Sequence, residues 1–168
     1  AFDSAGQRCS ALRVLCLQAD VADRIVAMLK GAMDEATIGH PAALSTDIGP
    51  VIDAAAQAGI QRHIDALRAS GHAVHQATRG LAEAQVHGTF IAPTLIEIDR
   101  LDQLEREVFG PVLHVLRYRR AGLDALIDQI NATGYGLTQG VHTRIDETIA
   151  RVVDRAHAGN VYVNRNMV

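Results

Sequence analysis

The chain has 168 residues, 48% hydrophobic and 21% charged, with 16 basic against 19 acidic residues and a formal charge of −3. There is enough apolar material for a core, and the composition excludes a disordered or collagenous chain. The interleaved charges leave no basic face for nucleic acid, and no apolar run approaches the ~20 residues of a membrane-spanning helix. Two cysteines, Cys9 and Cys16, are too few for a disulfide framework or a cysteine metal centre. The N-terminal residues do not read as a signal peptide. The expectation is a soluble, cytoplasmic protein with no nucleic-acid partner and no membrane segment.

Apolar periodicity alternates between strand-like and helix-like along the chain. Residues 13–18 (RVLCLQ) form a short apolar run of strand length. Asp20 stands at an expected N-cap, and Val21, Ile25, Met28, Leu29 and Ala32 follow at helical spacing. A loop rich in Gly, Pro and Ser spans residues 39–50, and Ile60, Ile64 and Leu67 mark a second helix closed by Gly71. A strand over 73–77 leads to an irregular stretch over 78–89 and a strand over 94–98. Leu101 to Val108 is predicted as a short helix and 112–118 (VLHVLRY) as a strong strand. A helix through Leu123, Leu126, Ile127 and Ile130 ends near Gly134, and 137–143 is strand-like. Ile149, Val152, Val153 and Ala156 give a last helix stopped by Gly159, and Val161–Val163 open a final strand. Strands alternating with helices predict an α/β fold with a mainly parallel sheet and helices on both faces. No repeat, linker or domain boundary is visible, so residues 1–168 are expected to be a single domain.

Cys9 stands in GQRCSA, where Gly6 frees the backbone for close approach and Arg8 brings a positive charge. A thiolate becomes an effective nucleophile beside such a charge, although a small buried residue is the commoner use of cysteine. Cys16, inside an apolar strand, reads as that commoner case. Glu107 and Phe109 precede a Gly-Pro turn, placing a carboxylate and a ring at a strand entrance, where acidic residues accept ribose hydroxyls in dinucleotide sites. A plain helix end followed by a turn fits the same segment, against the unfavourable dipole for a glutamate there. Among eight histidines only His72 and His75 are close, without an acidic or thiolate partner at ligand spacing, so no metal site is expected. From the residues alone, a thiol oxidoreductase, a non-redox thiol enzyme and a non-catalytic interaction module all stay open.

Taken in order, GQRCSA, TDIGPVI from Thr46, FIAPTLIEI from Phe90, EVFGPVLHV from Glu107, YGLTQGVHTR from Tyr135 and AGNVYVNRN from Ala158 resemble the catalytic domain of the aldehyde dehydrogenase superfamily. Within it, the RCSALRVLCLQ and NVYVNRNMV wording looks most like the pyrroline-5-carboxylate dehydrogenase domains of bifunctional proline-utilization enzymes. The resemblance implies that Cys9 is the catalytic nucleophile, attacking an aldehyde to give a thiohemiacetal, then a thioester that water hydrolyses. Its own backbone N–H would form half of the oxyanion hole. By the same resemblance Glu107 and Phe109 bind NAD at its nicotinamide ribose and ring, and Ser10 contacts substrate near the thiol. The narrower likeness implies oxidation of glutamate semialdehyde to glutamate in proline catabolism, and a parent homo-oligomer that also carries an FAD-dependent proline dehydrogenase domain. An acyl-phosphate reductase of the same fold is the alternative. The family's NAD-binding domain, general-base Glu and side-chain oxyanion Asn would lie upstream of Ala1, and its substrate-anchor loop beyond Val168. On that expectation these residues are a fragment of a larger chain and alone form an inactive half-site.

Overall fold

Uninterrupted β-branched and leucine-rich runs take the extended conformation where the chain can bury both faces of it. In the computed structural model, which describes residues 1–167, two compact units form, one of residues 1–117 and one beginning at Tyr118. The first contains β1 (Val14–Gln18), α1 (Ala19–Glu35), α2 (Ala54–Ala69), β2 (Val74–Gln76), α3 (Leu81–Gln85), β3 (Thr94–Ile98) and β4 (Val112–Tyr118), whose last residue opens the second unit. The four strands form one sheet in the order β1-β4-β3-β2. The β3 and β4 strands are parallel, with Leu95 opposite Leu113 and Ile96 opposite His114, while β2 adds antiparallel at the edge.

This register separates two faces, because successive side chains on a strand point to opposite sides. Leu95, Leu113 and Val115 share a core with Leu17 of β1 and with Ala22, Val26 and Met33 of α1. The 3.6-residue spacing of those helix positions is what turns one stripe of α1 to the sheet. Thr94, Ile96 and His114 belong to the other face, where α2 lies: His63 of α2 meets His114, and Ile60 sits against Gly110. Each fully buried Leu, Ile or Val here contributes about 1.5–3 kcal/mol by leaving water. Helices on both faces of the sheet are therefore observed, as the sequence predicts.

The second unit contains α4 (Leu123–Ala132), β5 (Thr138–Val141), α5 (Asp146–Arg155) and β6 (Asn160–Val163), with β5 and β6 parallel. Arg155 donates to Asp124 and Asp128 and so ties α5 to α4. Asn164, at φ 53°, accepts from Thr143 N–H and donates to Thr143 C=O, closing the end of this strand pair.

Three local expectations need correction. Residues 101–108 are not a helix; only Leu101–Gln103 make a single 3-10 turn. The Gln103 amide oxygen accepts from Asp99 N–H and Arg100 N–H, and its nitrogen meets the His72 ring, so the segment is held by side-chain bonds instead. Asp20 is not the N-cap of α1: that position is Gln18, the strand runs into the helix without a loop, and Asp20 accepts from the Gln18 side chain within the first turn. The stretch 78–89 contains the five-residue helix α3, too short to show a period.

Candidate active site

The backbone before Cys9 is unusual. Ser4, Ala5 and Gly6 are three consecutive residues with φ of 53°, 52° and 68°. For Ser4 and Ala5 this left-handed conformation costs about 1–2 kcal/mol per residue, a cost that persists only where surroundings enforce it. The enforcement is visible: Ala5 is buried, and Gly6 lies so close to Gly110 that a Cβ would overlap the Gly110 carbonyl oxygen. The GQRC and FGP segments, about a hundred residues apart in sequence, therefore touch through two glycines.

Beyond Gly6 the chain makes a turn in which Ala11 N–H donates to Arg8 C=O at 3.0 Å, with Cys9 and Ser10 at its two central positions. Cys9 is exposed, and Ser10 is half-buried beside it. The Gln7 side chain fastens the base of the turn to a third segment, donating to Pro50 C=O at 3.2 Å and accepting from Ile52 N–H at 2.8 Å. Arg8 donates from Nε to the Ser4 hydroxyl at 3.0 Å.

Arg13 joins this turn to the Glu107 segment. Its Nε and Nη2 each lie 2.9 Å from Glu107 Oε1, Nη1 donates to Gly6 C=O, and Nη2 donates to Arg8 C=O at 3.0 Å. The same guanidinium stacks over the Phe109 ring, 4.7 Å from its centroid. The planar fork of five N–H donors permits all of this from one side chain. Phe109 keeps 43% of its surface exposed, unusual for a large ring.

The backbone of Arg13 is fixed from the opposite side. His114 N–H and His114 Nδ1 both reach Arg13 C=O, at 3.0 and 3.1 Å, and His114 Nε2 meets His63 Nε2 at 2.8 Å. A carbonyl only accepts, so Nδ1 carries the His114 proton and Nε2 accepts from His63 N–H. Burial pushes His114 down to about 4 and lowers His63 in the same direction, so both rings are neutral at pH 7. Cys16, on β1, differs from Cys9: it is half-buried, and burial raises its thiol to about 12, which keeps it protonated at pH 7.

The sequence-predicted residues Cys9, Ser10, Glu107 and Phe109 thus fall in one unit, and the first two share a turn that Arg13 links to the last two. Glu107 stands outside any helix, so the dipole conflict expected for it does not arise. Sequence reading passed over Gln7 and Arg13. Gln7 was in view inside the motif, whereas the reach of Arg13 to residue 107 has no local signature. Among the described residues, no three His, Cys, Asp or Glu side chains gather as metal ligands, and no helix is long and apolar enough to cross a membrane.

A sequence model of the aldehyde dehydrogenase family matches residues 1–168. The chain belongs to the aldehyde dehydrogenase family. Among its relatives it is 65% identical to the bifunctional protein PutA of Klebsiella aerogenes, over all of this chain and 13% of that protein. It is 31% identical to the 1-pyrroline-5-carboxylate dehydrogenase of Bacillus subtilis, over 98% of this chain and 31% of the relative. A crystal structure of a proline utilization A variant from Bradyrhizobium japonicum superposes with a TM-score of 0.92 at 47% identity, covering all of this chain and 17% of that one. The α/β architecture of this aldehyde dehydrogenase chain is thus that of its relatives, of whose length it spans only a fraction.

Proposed function

We propose that these residues are the cysteine-bearing portion of an NAD-dependent dehydrogenase that oxidises glutamate semialdehyde, derived from pyrroline-5-carboxylate, to glutamate in the cytoplasm. The observation that carries the reading is the joining of the Cys9 turn to Glu107 and Phe109 by Arg13, within a chain 65% identical to bifunctional PutA. On this reading Cys9 Sγ bonds to the aldehyde carbon, and the Cys9 N–H and a donor from elsewhere in the parent stabilise the oxyanion. Ser10, next in the turn, contacts the bound aldehyde. Exposure of Cys9 leaves the thiol open to substrate, and the Arg8–Ala11 hydrogen bond closes the turn that carries it.

The residues present fit the nicotinamide end of a dinucleotide: a carboxylate that accepts hydroxyls, beside an exposed ring face held by a cation. Glu107 and Phe109 would hold that end, and bound NAD supplies the two-electron acceptor that makes the aldehyde carbon an acyl carbon. Acyl release to water would need the base that the parent contributes. The identity with bifunctional relatives supports a second, FAD-dependent proline dehydrogenase domain in the same parent.

The test is NADH formation from glutamate semialdehyde by the parent chain, with Cys9→Ala beside it. The expected loss in the variant exceeds about 10³-fold, as removal of a covalent nucleophile does. A parent active only on other aldehydes would remove the proline assignment, and one active on none would remove the dehydrogenase reading.

A further inference from the structure

Arg13 carries more than a surface ion pair needs. Among the described arginine–carboxylate pairs it has the most enclosed arginine, its side chain 18% exposed, whereas Arg155, Arg117 and Arg79 stand at 33%, 38% and 58%. Exposed pairs of that second kind contribute little. Arg13 instead places its donors on three separate targets: the Glu107 carboxylate, Gly6 C=O and Arg8 C=O. The two carbonyls lie on either side of Gln7, at the root of the Cys9 turn, and the Phe109 ring takes the face of the guanidinium. The residue's own carbonyl is held twice by His114. Side chain and backbone are therefore both constrained, and the groups on either side cannot shift independently.

Resting on the dehydrogenase reading above, we infer that Arg13 is a positioning residue: it fixes the Cys9 turn relative to the Glu107 carboxylate and the Phe109 ring, and thereby sets where the nicotinamide end of the cofactor stands relative to the thiol. Its contacts run to Glu107 and to the turn's backbone, so it acts through those groups and not on substrate. The planar fork is essential. A lysine would bring the charge without the geometry that reaches a carboxylate and two carbonyls together.

The account is tested in the full parent enzyme by measuring NAD⁺ dissociation constants calorimetrically, without substrate, for wild type, Arg13→Gln, Glu107→Gln and the double variant. Losing a charge-assisted anchor of Glu107 should raise the NAD⁺ Kd about tenfold. If Arg13 acts through Glu107, its effect should shrink below about twofold in the Glu107→Gln background, the non-additivity of residues that share an interaction. In steady state KM for NAD⁺ should rise, and kcat should fall as the nicotinamide moves relative to the thiol. If Arg13→Gln does not fold, Arg13→Lys replaces it in the same cycle. An unchanged Kd or losses that add would overturn the assignment. Failure of both variants to fold would overturn it too, by making Arg13 a stability residue. A wild-type parent that forms no NADH from any aldehyde overturns the dehydrogenase reading and this inference together; an active wild type with an additive cycle overturns this inference alone.

Discussion

Two cysteines seven residues apart meet opposite fates. Cys16 sits half-buried on β1, and desolvation holds its thiol protonated, pushed up to about 12. Cys9 sits in a solvent-facing turn whose backbone is held from four directions, by Gly110, Pro50, Ile52 and Arg13. Residue type is identical in the two places; environment alone separates a packing element from a candidate nucleophile. The difference also lies in how much of the surrounding chain each position engages. The strand needs only apolar neighbours, whereas the turn needs two glycines, a glutamine, an arginine and a left-handed backbone.

The comparison breaks most visibly at Gly6. Gly6→Ala forces a side chain into φ 68° and into the Gly110 carbonyl. The backbone strain and the overlap together should destabilise the first unit by about 4 kcal/mol. Thermal unfolding of the variant checks this, and a melting temperature within a degree or so of wild type would contradict the described contact. Cys16→Ala, by contrast, removes one small, half-buried group.

A smaller effect sharpens the support behind the turn. His114 and His63 are neutral in the folded state because burial lowers both. The unfolded chain then binds more protons than the folded one between about pH 6.5 and pH 4, so stability rises with pH across that window and is lost on acidification. From His114 alone the loss is at most about 3 kcal/mol. Urea midpoints measured from pH 7 down to pH 4 should fall, and His114→Gln should flatten the slope. A midpoint independent of pH in wild type would contradict the neutral, hydrogen-bonded pair.

Much of the framework was legible in the sequence, for a physical reason. The central strands β3 and β4 are continuous apolar runs bounded by proline and charged residues, and their observed limits, Thr94–Ile98 and Val112–Tyr118, match the run lengths. Gly71 and Gly134, at φ 88° and 75°, follow helix ends where a left-handed residue is wanted. The segment 101–108 misled because Leu101, Leu104 and Val108 carry helical spacing, while Gln103 bonds backward and Pro111 follows closely. At the site, the residue types in GQRC and EVFGP were visible. That the two segments meet, and that Arg13 spans them, depends on contacts across roughly a hundred residues, which no local pattern encodes.

The most direct measurement is thiol alkylation of the folded parent at pH 7, followed by trypsin. Cleavage after Arg8 and Arg13 puts Cys9 and Cys16 on different peptides, so each rate is read separately. The account predicts that the Cys9 peptide is modified, while Cys16 reacts more than about tenfold slower than in the unfolded chain, its raised thiol lowering the thiolate fraction by more than the greater nucleophilicity of that thiolate restores. Equal rates at the two positions, or modification of Cys16 first, would contradict the claim that this fold reserves one thiol for chemistry and the other for packing.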